Sequence, residues 1–482
     1  MQSSAPARRA EIPVAAETAE LLDAVEALAE RAASGPRRLL SVTRPTGIVD
    51  PVATVLAARR ASDRYFCWEE PGRGDFAIAA LGAVSELVSR GPARLSDLRR
   101  DAAALLGGRV ADEPHTLASG AGPLLTGGLA FAPDGGSEPQ WSSLPPALLV
   151  LAEVSIARGP RGAWITASAM GGGGVSPQAI REALAARLAA LEAAAAAALP
   201  PLDPSPTAGT VVSGARPPAA YERAVAAAVE RIRAGLVDKL VLAREVTVDA
   251  PAAHSVDALF GALRELFDSC FVFCVGTPEA AFVGASPELL VRRDGASAAT
   301  VALAGSARRS ADPSVDAHLG EQLMQSAKDR SEHAIVARRI KRRLESLAVW
   351  VEVAPEPVVI QVANIQHLAT PIRAQLTESR SVLELAGILH PTPAVGTEPA
   401  TPEAEAMIGE LEGMDRGWYA GPVGWMDASE DGEFCVALRS ALLRDRRAHL
   451  FAGAGIVADS DPAAELAETE IKLGALLPLL AG

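Results

Sequence analysis

Three strand-like runs, CFVFCVG, AAFVGA and ELLVRRD, follow one another between Cys270 and Asp294 with only a few residues between them. Parallel neighbours need a crossover of a dozen or more residues, so these runs pair as antiparallel hairpins. Late in the chain EFCVALRSALLR and AHLFAGAGIV are joined just as closely. Helical periodicity marks the segments between and around the strands, including KLVLAREVTV's neighbour VDALFGALREL. The expected fold class is therefore α+β, antiparallel sheets with helices packed outside.

Length allows two to four domains or one extended unit for these 482 residues. PPLDPSPTAGTVVSGARPP, rich in proline, glycine and serine, marks a boundary. We expect an N-terminal α/β portion over 1–200, a linker or long loop over 201–216 and a second portion over 217–482. Expected helices include 18–33, PQAIREALAARLAALEAAAAAAL from Pro177, and one long charged helix from Asp316 to Leu347. EFCVALRSALLR is read as a single strand.

A formal net charge of −14 supplies no general basic field, which argues against nucleic acid as partner. An anionic substrate would need a local trap of a few cations or a bound metal. The four cysteines, Cys67, Cys270, Cys274 and Cys435, lack zinc-ligand spacing and read as buried thiols of a reducing compartment. No signal-type apolar core follows the N-terminal arginines, and no apolar run reaches the roughly 18 residues of a membrane span. A cytoplasmic protein without membrane contact is expected.

Several charged clusters interrupt this pattern. ELAETEIKL places Glu465, Glu468 and Lys472 at i, i+3 and i+7, on one helix face. Alone, that face reads as a solvated stripe with an i,i+4 ion pair. KDRSEHAIVARRIKRRL sets Glu332 and His333 where an apolar stripe of Ile335, Val336 and Ile340 begins. Glu288 follows the Ser286-Pro287 turn between two apolar runs, either projecting into a cleft or facing water. Lys239 opens an alternating strand and shares a face with Val241 and Ala243. Exposed, it snorkels at an edge; buried, desolvation favours its uncharged amine. Gly305 with Ser306, and Gly453 with Gly455, belong neither to a phosphate loop nor to a dinucleotide fingerprint.

In order, KLVLAREV, FVGASPELLVR, LAGSARR, KDRSEH, QHLATP, LHPTPAVGT, WYAGPVGW and FAGAGIV with its following ExxExxxK resemble the motifs of the chorismate-utilising enzymes. That family includes isochorismate, anthranilate, aminodeoxychorismate and salicylate synthases, and the resemblance spans roughly residues 217 to 478. It implies a two-layer body in which the N-terminal portion contributes to the same fold.

For the site, the resemblance implies Mg²⁺ held by Glu332 and Glu468, with Glu465 acting through water or from behind. Lys472 would meet the ring carboxylate of chorismate and Arg439 that of the enolpyruvyl side chain, with Gly453 and Tyr419 shaping the pocket. Lys239 matches the water-using members, Ala304 stands where a nucleophilic lysine occurs in others, and HPTPA, ending at Ala394, has the isochorismate synthase wording. The implied reaction is an isomerisation in which Lys239 takes a proton from water attacking C2 and Glu288 protonates the departing C4 hydroxyl. His367, Gly305 and Ser306 would orient the substrate. Ala302, Leu466 and Tyr419 depart from common family choices, and none removes a proposed catalytic group.

The resemblance implies no glutaminase subunit, and a menaquinone- or siderophore-pathway type of enzyme. Two rivals follow from the same motifs: a salicylate synthase, which goes on to eliminate pyruvate, and a non-catalytic chorismate-binding module. A pure binder has no need of both Lys239 and Glu288.

Overall fold

Strand Phe271–Gly276 turns Phe273 and Val275 to one side and Val272 and Cys274 to the other, and both sets are buried in different hydrophobic clusters. Its neighbour Tyr65–Glu70 does the same, with Phe66 and Trp68 on one side and Tyr65 and Cys67 on the other. Strands covered on both faces need a layer above and a layer below, which accounts for their near-continuous apolar runs. The computed structural model describes residues 14–482 except positions 75, 204, 206, 207 and 363. The N-terminal arginine segment considered above falls largely outside them.

Among the described residues the strands form a 13-stranded and a 10-stranded sheet. Pairing is antiparallel except where Arg38–Thr46 meets Val110–Asp112. The two sheets face each other across an aromatic core: Phe273 lies 5.6 Å from Phe282, Phe282 6.3 Å from Trp418, and Phe76 6.0 Å from Trp425. Helices Val14–Ala32 and Pro177–Ala193 cover the outer face of the larger sheet through Leu21, Val25, Leu28, Leu184 and Leu188. Helix Ala327–Glu345 lies on the smaller sheet through Val336, Ile340 and Leu344. This is the expected two-layer α+β arrangement with outer helices.

Strands from before and after the proline-rich segment share both sheets. Tyr65–Glu70 pairs with Phe271–Gly276 in one, and Leu125–Leu129 pairs with Pro422–Met426 in the other. Within 201–216, Val211–Gly214 forms a short strand against Val246–Asp249.

Two expected elements are divided. The single charged helix is two, Pro313–Gln325 and Ala327–Glu345. Ser326 leaves helical geometry with ψ of 115° and its hydroxyl caps the second helix at Asp329 N, a local bond that competes with helix continuation. EFCVALRSALLR is also two strands, Gly432–Val436 in the smaller sheet and Ser440–Arg444 in the larger.

Candidate active site

Among the places where the chain changes sheets, two are adjacent. One lies between Ala281–Ser286 and Leu289–Asp294, the other between Gly432–Val436 and Ser440–Arg444. Gly284 pairs with Ser440 and Leu289 with Cys435, so the crossings run side by side. Glu288 rides on the first and Arg439 on the second. Arg439 sits at φ +45°, a left-handed conformation that costs a non-glycine residue energy and that the flanking sheets hold in place.

Glu288 is buried and takes one hydrogen bond from Thr392 Oγ1 at 3.3 Å on Oε1. Burial pushes its carboxyl up to about 7, against the opposing pull of Thr392 and the charges of Lys239, Arg439 and Lys472. A carboxyl with that value is half protonated near neutrality.

Lys239, at the start of strand Lys239–Asp249, has no exposed surface. Its Nζ donates to Glu332 Oε1 at 2.7 Å. Glu332 stands beside the buried stripe of its helix, where His333 donates to or accepts from Thr370 Oγ1 at 2.7 Å. Gly455 on strand Arg447–Ile456 makes room for this pair. A Cβ there would lie 2.6 Å from Glu332 Oε1 and 3.0 Å from Lys239 Cε.

Helix Pro462–Leu473 brings its charged stripe to the same place. Lys472 Nζ donates to Glu468 Oε1 and to Gly453 O, each at 2.7 Å, and Ser306 Oγ donates to Glu468 Oε1 at 3.2 Å. Burial works to raise the Glu468 carboxyl, but Lys472 and Ser306 hold it below the usual range. Glu465 is buried behind Glu468, with Lys328 Nζ 3.5 Å away. Burial raises it despite a hydrogen bond from Ser460, and the charges of Glu468 and Glu332 add to the rise.

Gly305 is the extra residue of a β-bulge, inserted between Ala304 and Ser306 opposite Leu368 and His367. Its φ of +74° is open to glycine, and its carbonyl meets His367 Nδ1 at 3.1 Å. Arg439 Nη2 lies 2.6 Å from His367 Nε2. Arginine only donates, so Nε2 accepts and the proton sits on Nδ1, donated to Gly305 O. Burial, then Arg439 and Lys472, drive this histidine well below its ordinary range, in keeping with the neutral ring. His367 thereby holds Arg439.

These elements line a cleft between the sheets that opens to solvent. Glu288, Arg439, Glu332, Glu468 and Lys472 line it, and so do Gly305, Ser306, His367, Ala394, Tyr419 and Gly453. Tyr419 stacks on Phe451 at 5.2 Å to form an apolar wall. Lys239 and Glu465, also expected at the site, do not line the cleft; each lies one side chain behind it, Lys239 beyond Glu332 and Glu465 beside Glu468 and Lys328. Gly455, noted in the sequence beside Gly453 but given no site role, and Arg416, not singled out from sequence, also line it. The GAG spacing carried a signal for Gly455; Arg416, within an unremarkable loop, carried none.

Among the described residues no three His, Cys, Asp or Glu side chains converge tightly enough to hold a metal alone. Glu332 and Glu468 do face one cleft, with Glu465 close enough to feel both charges. Magnesium takes one or two protein carboxylates and completes its shell with water and substrate oxygens, which this donor set fits.

Two cations, an acid poised near neutrality and a pair of carboxylates, enclosed between antiparallel sheets, define an acid–base enzyme for a small anionic substrate. A sequence profile for the family described as chorismate binding enzyme matches residues 24–481, and the chain belongs to that family. It is 37% identical over 413 residues to the salicylate biosynthesis isochorismate synthase of Pseudomonas aeruginosa, covering 85% of this chain and 83% of the relative. It is 32% identical over 449 residues to isochorismate synthase MenF of Bacillus subtilis, covering 92% and 94%. The solved structure of MenF, the menaquinone-specific isochorismate synthase from Escherichia coli, superposes with a TM-score of 0.73 at 27% identity, over 95% of this chain and 99% of that one.

Proposed function

We propose that this protein is an isochorismate synthase, converting chorismate to isochorismate by adding water at ring C2 with loss of the C4 hydroxyl. The observation that carries the reading is the placing of Glu288 and Glu332 on the walls of one cleft that Arg439 and Lys472 also line, with Lys239 paired to Glu332 directly behind that wall. The relatives named isochorismate synthase, similar over most of their length, support it.

We assign Arg439 and Lys472 to the two substrate carboxylates. Arg439 is held by His367, and Lys472 is aimed by Glu468 and Gly453 O. Thr392 occupies one oxygen of Glu288, which leaves the other free to carry a proton to the C4 hydroxyl. Lys239 accepts the proton of the attacking water; for this its contact with Glu332 opens and its own proton passes to solvent beforehand. Tyr419 and Phe451 pack against the ring and keep bulk water from it.

Mg²⁺ is the cation we assign to Glu332 and Glu468, with Glu465 behind them; bound there it would offset the charge of these carboxylates and supply a cation for a substrate carboxylate. Water rather than ammonia is the nucleophile we assign, and with it no glutaminase subunit. All four cysteines are buried and free, as a reducing compartment leaves them, and we place the enzyme in the cytoplasm. Among the described residues no helix is long and apolar enough to cross a membrane.

The test is product analysis by NMR after incubating the protein with chorismate, with magnesium or with a chelator. Isochorismate formed only with magnesium and without pyruvate is the expected result. Pyruvate with salicylate would move the protein to the salicylate synthases, and chorismate left unchanged would make it a binding module.

A further inference from the structure

The outer edge of strand Lys239–Asp249 has a gap. Val211–Gly214 pairs with its last four residues and Thr397–Glu398 with its first two, leaving Val241 to Glu245, which pair with Arg447–Ile456 on their inner edge, without a strand on the outer one among the described residues. Two side chains fill much of that gap. Arg416 Nη2 donates to Val241 O at 2.9 Å, and Glu412 Oε1 accepts from Ala243 N at 2.6 Å.

Arg416 also reaches the opposite wall, where its Nη1 donates to Val395 O at 2.9 Å. Its Nε donates to Glu412 Oε2 at 3.0 Å, and its guanidinium lies 4.2 Å from the Phe131 ring centroid. Nearly every N–H of the fork is thus spent inside the protein, so Arg416 lines the cleft without being available as a clamp for substrate carboxylate. Val395 and Gly396 both donate backbone N–H to Thr392 O, which ties Val395 rigidly to the residue that bonds Glu288. A continuous path results: Lys239 strand, Arg416, Val395 turn, Thr392, Glu288. A buried ion pair is no reliable source of stability compared with apolar residues of similar volume, so stability alone does not account for this one.

We propose that Arg416, locked by Glu412, is a positioning residue that holds the strand of the base, Lys239, in register with the turn that steadies the acid, Glu288. The proposal rests on the reading of the protein as an isochorismate synthase. Lysine at 416 keeps the charge but lacks the planar fork that spans Glu412, Val241 O and Val395 O together.

The test is steady-state kinetics of wild type, R416K, E412Q, T392V and the R416K/T392V double variant on chorismate. R416K should lose on the order of 10²-fold in kcat, the scale of a small misplacement of reacting groups, with KM little changed. Because Arg416 acts on Glu288 through Thr392, the double variant should lose much less than the product of the two single losses. Unchanged kcat in R416K, a raised KM with kcat unchanged, or independent losses would each overturn the proposal. Should R416K melt below assay temperature, E412Q, which keeps the shape of the acceptor, carries the same cycle with T392V and the same overturning results. Wild-type protein that makes no isochorismate would instead defeat the enzyme reading, whatever the variants do.

Discussion

Lys239 Nζ donates to Glu332 Oε1 at 2.7 Å, and the pair fits only because Gly455 has no side chain. The strand of one sheet and a helix covering the other are joined at the point where the proposed chemistry occurs. As a charged pair this lysine is an acid, not a base. The proposed mechanism therefore requires the contact to open during turnover.

Replacing Lys239 by glutamine removes the proton acceptor and leaves Arg439 and Lys472 in place. We expect kcat to fall by roughly 10²–10⁴, while chorismate still binds by calorimetry. Retained turnover would put the base elsewhere.

Gly455→Ala should be far more damaging than its size implies. The new methyl would stand 2.6 Å from Glu332 Oε1 and 3.0 Å from Lys239 Cε, forcing the pair apart. Gly409, exposed on helix Pro402–Glu412 with nothing within 4 Å of a Cβ, is the matched control. Gly409→Ala should leave activity intact and raise stability by about 0.5–1 kcal/mol. Equal kinetic effects of the two substitutions would contradict the account.

Glu288 must be protonated to act as the acid, and its carboxyl is pushed up to about 7. Activity should fall as pH rises through that region. Thr392 donates to the carboxylate and favours the ionised form, so T392V should move the alkaline limb of the kcat profile to higher pH. A limb that stays in place, or moves down, would remove Thr392 from the acid's environment.

A second carboxyl gives a stability prediction remote from the cleft. Burial, then the neighbouring Glu433, push Glu70 up to about 8, while Arg292 at 2.8 Å and Arg73 at 3.1 Å pull the other way. Glu433 also bonds Arg73 and Arg292 and sits below its usual range, so we place the shared proton on Glu70. The folded state then binds more protons than the unfolded one between the ordinary glutamate value and about 8. Stability from this group is complete below that window and is lost as pH rises through it. E70Q should flatten the melting temperature between pH 5 and 8; an unchanged slope would show that another group carries it.

The parts of this architecture that depend on local periodicity were legible from sequence. The Glu465, Glu468 and Lys472 stripe is one, because 3.6 residues per turn fixes a helix face whatever packs against it, and two of its members line the cleft. Alternation in CFVFCVG likewise separates Phe273 from Cys274. What stayed hidden is where the chain changes sheets. Apolar character continues from Val436 through Ala437 and Leu438, so nothing local marks the crossing that delivers Arg439. Ser326 divides its two helices by one hydroxyl amid good helix formers. The expected roles of Glu288, Arg439 and His367 came from the order of whole motifs, since each residue alone reads equally well as structural. Arg416 acts through contacts distant in sequence, with Val241 and Val395, and no spacing rule connects them.

The most direct measurement is turnover of chorismate in H₂¹⁸O, with the product's label located by NMR and mass spectrometry. The account predicts one solvent oxygen per isochorismate, at C2. Isochorismate free of label would mean that the hydroxyl moves within the substrate, and would contradict water activation by Lys239.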